Sequence, residues 1–207
     1  DPAFAATSDG ARLTALWSLG GADVVAEEMP SLLDRVRAAG LAQNRLVGLA
    51  QAVVAVATLG EVETAAAHME EARLAEREAG AGASARLALA EATLRAASGD
   101  EALATTLLEE TIARYGLSSG SDRRPWRVAL PLTYVLVPST RATWDGAELV
   151  GHLDDARALA RAVVGLRAGD GRAVPALVAR GVPPVQAIRS ALLPRFAVEL
   201  AVGLHAE

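Results

Sequence analysis

The feature that most constrains this chain is an interval: Gly60 and Gly99 lie 39 residues apart, and each is followed by an acidic residue, Glu61 and Asp100. The same offset carries Ala65 to Ala104, Met69 to Leu108 and the pair Glu70-Glu71 to Glu109-Glu110. It also carries Gly21 to Gly60. A fixed period of this size marks a stack of repeated helix pairs, each of which needs its neighbour to bury its apolar stripe.

The clear repeats are residues 41–79 and 83–115. In the first, helix 41–58 carries Leu46, Leu49, Val53 and Val56 at helical spacing, and helix 61–79 carries Ala65, Met69 and Ala72. In the second, Leu87, Ala90, Leu94 and Ala97 are expected to face Leu103, Leu107, Leu108 and Ile112. Upstream, Asp9 is a candidate cap for a short helix with Leu13, Leu16, Trp17 and Leu19. Asp23 caps a helix to about Ala39, in which Pro30 should cause a kink or break. The irregular unit, 117–146, departs from the period. Its apolar run 128–137 suits a buried strand or a buried helix, and the helical surroundings favour the helix. The terminal unit, 147–207, holds an expected helix over 146–168, a turn at Gly169-Asp170, a short helix over 171–180 and a last helix from Pro183-Pro184 to about Leu204, interrupted at Pro194. The expectation is an all-α chain of about ten helices and a single helical-repeat domain over 1–207.

Composition agrees. Apolar residues make up 52% of the chain and aromatics 3%, which favours helices over sheets. Cysteine is absent, so disulfides, thiolate catalysis and Cys-based zinc sites are excluded. A cytoplasmic location fits that. Every one of the 20 basic residues is arginine, so no Schiff-base or P-loop lysine exists. The net charge of −5 argues against a broad nucleic-acid surface. The longest apolar run, 128–138, is about half of the ~20 residues that a membrane span needs. No signal peptide is visible, and the start at Asp1 without methionine suggests a piece of a longer chain.

The chemistry-bearing residues are few. His68 with Glu71, and His152 with Asp155, have a spacing that metal sites use, but neither has a third ligand nearby in sequence. No nucleophile motif surrounds any serine, so we expect no catalytic residues, no metal and no cofactor. Gly169-Asp170-Gly171-Arg172 follows a helix rather than a strand and reads as a helix stop, not a phosphate turn. The glutamate pairs form either a solvated face or an acidic ridge. The cluster that stands out is Arg123, Arg124, Trp126, Arg127, Tyr134, Arg141 and Trp144, in the segment that breaks the repeat. These residue types dominate binding hot spots. They form either a ligand or partner site, or the core of an irregular unit with arginines reaching to water.

The Gly-acidic turn followed by a small residue, a large apolar residue and a second small residue resembles the tetratricopeptide (TPR) pattern. Gly60, Ala65, Met69 and Ala72 match it, as do Gly99, Ala104 and Leu108. Thr111 stands at the second small position, the period exceeds the usual 34, and the consensus aromatics are missing, with Val56 and Arg95 before the turns. The match covers about 41–115. It is similar to the degenerate TPR-like arrays of large bacterial regulators: the maltose-activator and LuxR-type ATPase regulators and the actinobacterial antibiotic regulatory proteins. That resemblance implies an α-α superhelix, or solenoid, with a sensing or partner-binding role. Its partner would be a protein segment or a small-molecule effector, with no direct nucleic-acid or membrane contact. A structural scaffold for oligomerisation, or an all-helical enzyme, are the competing readings.

The last helix is apolar on many sides. Phe196, Val198, Leu200, Val202 and Leu204 surround the lone charge of Glu199, so we expect a homodimer through these residues. The small residue five positions after the turn lets two helices approach closely. Ala65→Leu should therefore cost ~1–3 kcal/mol by overpacking. A denaturation midpoint equal to the parent's would show that Ala65 is not at a close contact.

Overall fold

The computed structural model describes residues 12, 15–17, 21–80, 84–117, 124–181, 188 and 191–205. Among them every regular element is helical. The helices are α1 (Ala22–Ala38), α2 (Ala42–Thr58), α3 (Val62–Glu78), α4 (Ala85–Ala97), α5 (Glu101–Tyr115), α6 (Arg124–Val128), α7 (Leu130–Leu136), α8 (Arg141–Asp145), α9 (His152–Arg167), α10 (Ala173–Ala179) and α11 (Pro194–His205), with a 3-10 turn at Pro138–Thr140 before α8. No described helix is long and apolar enough to cross a membrane. The expected cap Asp9, the residues Leu13, Leu19, Arg123 and the Pro183-Pro184 start lie outside the described residues.

The turns after α2, α4 and α9 share one hydrogen-bond pattern. At the first, Glu61 N–H donates to Val56 O (2.9 Å) and Gly60 N–H to Ala57 O (3.0 Å). At the second, Asp100 N–H donates to Arg95 O (2.9 Å) and Gly99 N–H to Ala96 O (3.1 Å). At the third, Asp170 N–H donates to Gly165 O (2.9 Å) and Gly169 N–H to Leu166 O (3.0 Å). These paired bonds satisfy the orphan carbonyls of a helix end and need a left-handed residue at the glycine. Gly60, Gly99 and Gly169 have φ of 89°, 95° and 72°. The helix-stop reading of Gly169-Asp170 is therefore the observed one.

The helix pair α2/α3 packs onto α4/α5 chiefly through α2 and α4. Ala65, Ala72, Ala104 and Leu108 are fully buried, and Met69 nearly so. Thr111 occupies its small position with its hydroxyl donating to Leu107 O. Helix α4 is buried on two sides rather than one. Leu87 and Ala90 belong to a core shared with α1, α2 and α3. Leu89, Ala92 and Ala96 belong to a second core with α5, α7, α9 and α11. The expected single stripe on α4 is corrected accordingly, and Leu103 is largely exposed.

Three further expectations need correction. Helix α1 runs unbroken through Pro30, because Met29, Leu32, Leu33 and Val36 anchor it in the core on either side. Helix α9 begins at His152, not at Gly146. The side chain of Arg157 donates to Trp144 O (2.8 Å) and Ala147 O (2.7 Å), which satisfies the carbonyls of that segment without a helix. The 128–137 run is helical as favoured, with a turn at Ala129, and the break expected at Pro194 falls at Leu192 and Leu193, after the helical Ala191, so that Pro194 starts α11. Proline is well suited to a first helical position.

Helix α11 is also where the expected interface changes. Phe196 and Leu200 are fully buried in the chain's own core, and Leu204 packs against it. These positions recur every four residues and so share one face. Of the five residues assigned to a dimer, only Val198 and Val202 are exposed. The helix is held from both sides. Arg167 of α9 donates to Glu199 (2.7 Å) and Glu101 (2.9 Å), and its guanidinium lies 5.1 Å from the Phe196 ring centre. Arg195 pairs with Glu101 (3.1 Å) and donates to Gly99 O (3.4 Å). Pro194 lies so close to Gly60 that a Cβ there would meet Pro194 Cγ at 2.9 Å.

The turn glycines should thus differ in their tolerance. At Gly99 a Cβ meets nothing within 4 Å, so Gly99→Ala loses only the ~1–2 kcal/mol of left-handed backbone strain. Gly60→Ala adds the contact with Pro194 and should cost more. Urea denaturation of the two variants checks the order; equal losses would mean that α11 yields at no cost.

Candidate functional site

The residues singled out in the sequence separate into structural and accessible groups. Arg123 lies outside the described residues, and so does the side chain of Arg124. Trp126, Tyr134 and Trp144 are buried in the second core. The polar tips of Tyr134 and Trp144 find partners, as buried Tyr and Trp side chains usually do. The Tyr134 hydroxyl donates to Asp145 (2.9 Å), and Arg161 donates to both groups. Burial pushes the Tyr134 phenol up, with Arg161 opposing and Asp145 adding to the rise. Trp144 Nε1 donates to Thr133 Oγ1 (3.0 Å). Arg141 donates to Tyr134 O (3.0 Å) and Val135 O (3.2 Å), closing the C-terminal end of α7. Trp126 and Tyr134 thus lie in the core, and Arg141 bonds backbone carbonyls rather than reaching to water.

Two members of the cluster do meet on a concave surface. Arg127 and Trp144 line a cavity of about 160 Å³ with Leu117, Thr143 and Glu148. Trp144 is nearly buried, so only its edge reaches the cavity. Arg127 is half-buried and has no ion-pair partner among the described residues.

A larger concavity, about 280 Å³, lies between α1 and α3 and was not foreseen. Its floor is Met29, Leu33 and Val56, all buried. Its walls include Ala26, Pro30, Asp34, Arg37, Glu61, Thr64 and His68. Arg37 is committed to Glu71 through two bonds, Nε to Oε1 (3.0 Å) and Nη2 to Oε2 (2.7 Å). That pairing holds the Glu71 carboxyl below the usual range. Burial, with Arg37 nearby, pushes the His68 imidazole down despite Glu71. The signals that could have revealed this groove were Pro30 inside a helix and glutamate at a turn where the next repeat has aspartate.

The metal-spaced pairs gain no third ligand: no group of three or more His, Asp or Glu side chains is placed to hold a metal among the described residues. The glutamate pairs are unequal. Glu70 bonds Arg73 (2.5 Å) and Glu71 bonds Arg37, while Glu109 and Glu110 are exposed. His152 sits at the start of α9 with Nε2 buried and unpartnered among the described residues. Burial pushes its imidazole down, with Asp155 and Asp23 opposing.

Comparison with family models, characterised proteins and solved structures finds no match to this chain.

His68 and His152 share a sign in their effect on folding. Their folded pKa values lie below the ordinary ~6.5, so the unfolded chain binds protons first as the pH falls. Their contribution is complete above about pH 6.5 and is lost below it. Glu71 has the same sign, but in a lower window, around its usual 4.5. Stability in urea should fall between about pH 7.5 and pH 5.5. The double variant His68→Gln, His152→Gln should show a smaller fall; an identical pH profile would exclude both imidazoles as its source.

Proposed function

We propose that this chain is a non-catalytic, TPR-like helical-repeat module that recognises a protein segment, as the sensing or regulatory part of a larger transcriptional regulator. The observation that carries this reading is the recurrence, at one interval, of turn, small residue and large apolar residue in two stacked helix pairs. Gly60, Ala65 and Met69 have Gly99, Ala104 and Leu108 as counterparts, with the same turn bonds and the same burial. Stacked pairs of this kind make continuous grooves in which extended or helical segments dock. The concave surfaces on this chain supply the features such docking uses: apolar floors and a few convergent polar groups.

The segment that breaks the period carries the cavity at Trp144 and Arg127, and we assign it as the primary recognition site. A half-buried arginine beside a tryptophan edge suits a peptide carrying an aliphatic or aromatic residue and a carboxylate. A small-molecule effector with the same groups fits the same description.

A thermal-shift and fluorescence screen of peptides and metabolites tests the reading. A bound ligand should raise the melting temperature and change the tryptophan emission. Trp126→Phe should keep that change and Trp144→Phe should lose it. Stabilisation by ligands with no Trp144 response would move the site elsewhere. No stabilisation by any peptide or metabolite would favour the structural scaffold instead.

A further inference from the structure

The groove between α1 and α3 has an unequal supply of hydrogen-bonding groups. Pro30 has no N–H, so the carbonyl of Ala26 lacks the donor that a helix would otherwise provide. Both residues line the groove. Asp34 is mostly exposed and forms a long ion pair with Arg37, at 3.7 Å, beyond hydrogen-bond reach. Glu61 has no ion-pair partner among the described residues, and its carboxylate does not cap α3. Its counterpart in the next repeat behaves differently: Asp100 caps α5 by accepting from Leu103 N–H (3.0 Å). The longer side chain at the first turn is thus released from the helix end and lines the groove instead.

The cationic capacity of the groove is already used. Arg37 is neutralised by Glu71, and His68 is held toward its uncharged form. What remains is dominated by acceptors: two carboxylates and a spare backbone carbonyl, with the Thr64 hydroxyl and an imidazole that both accept and donate, above a floor of Met29, Leu33 and Val56. A ligand that complements this set has many donors in a plane, a positive charge and an aliphatic stem. Arginine has all three, whereas lysine presents a compact point charge with fewer donors.

We infer that this groove takes the side chain of an arginine from a partner protein segment, with its methylenes on Met29 and Leu33 and its guanidinium among Asp34, Glu61 and the Ala26 carbonyl. The inference rests on the reading of the chain as a protein-recognition module, but it concerns a different surface from the Trp144 cavity.

The chain contains two methionines, Met29 and Met69. Met29 forms the groove floor, while Met69 is buried nearby and does not line the groove. Protein labelled with 13C in the methionine methyl groups therefore carries its own control. Titration with N-acetyl-argininamide should shift the Met29 resonance and leave Met69 in place. N-acetyl-lysinamide and spermidine should bind at least several-fold more weakly, and N-acetyl-glutamate amide should cause no shift.

The double variant Asp34→Asn, Glu61→Gln should weaken binding by roughly tenfold or more, because charge-assisted bonds are lost. Both positions are exposed, so its fold serves as the parent's does. Pro30→Ala gives Ala26 a helical donor and should weaken binding several-fold while leaving the melting temperature equal or higher. An absent Met29 shift, equal shifts at both methionines, or equal affinity for spermidine would each overturn the assignment. A Trp144 response to peptides without a Met29 response to argininamide would overturn the groove site alone and leave the wider reading standing.

Discussion

A right-handed helix cannot reverse without a residue that leaves the right-handed region, and the whole arrangement depends on where that happens. At Gly60, Gly99 and Gly169 the backbone turns through a positive φ that side chains with a Cβ adopt only under strain. The two bonds that close each turn aim the next helix back along the last one. The alanines five residues later, Ala65 and Ala104, are then fully buried. The direction of each helix and the depth of its packing follow from the same short sequence.

That local chemistry explains what could be read from residues alone. The glycine, the acidic residue and the small residue all act within a few positions of one another, so α2 to α5 were legible nearly to their ends. The terminal elements were not, because their limits are set by distant partners. Helix α9 starts late since Arg157, five residues into it, reaches back to the carbonyls of Trp144 and Ala147. Helix α11 is apolar on several sides, but the face made by Phe196 and Leu200 is covered by α9 and the second core, and Arg167 lies over the ring. Helix α1 survives Pro30 through its buried neighbours. None of these contacts has a signature in sequence spacing.

The candidate sites divide in the same way. Grouping Trp126, Tyr134 and Trp144 was correct as a statement about neighbourhood, since all three enter one core. It did not show that only Trp144 of the three also borders the cavity, while the Tyr134 hydroxyl is spent on Asp145. The groove between α1 and α3 was missed for a different reason, although Pro30 and Glu61 hinted at it. It joins residues about 30 positions apart, and its character depends on which charges are already paired. Arg37 is one such case, since Glu71 lies against it.

The first two residues of α11 touch both repeat turns: Pro194 lies against Gly60, and Arg195 reaches Gly99 O and Glu101. In an open array neighbouring units are linked only to each other, so the stack behaves as a spring and can melt unit by unit from its ends. Here a strut from the far end of the chain spans the distance between successive turns and holds it constant. Pro194 and Arg195 therefore tie the turns of both repeats to the helix whose Phe196 and Leu200 lie in the second core.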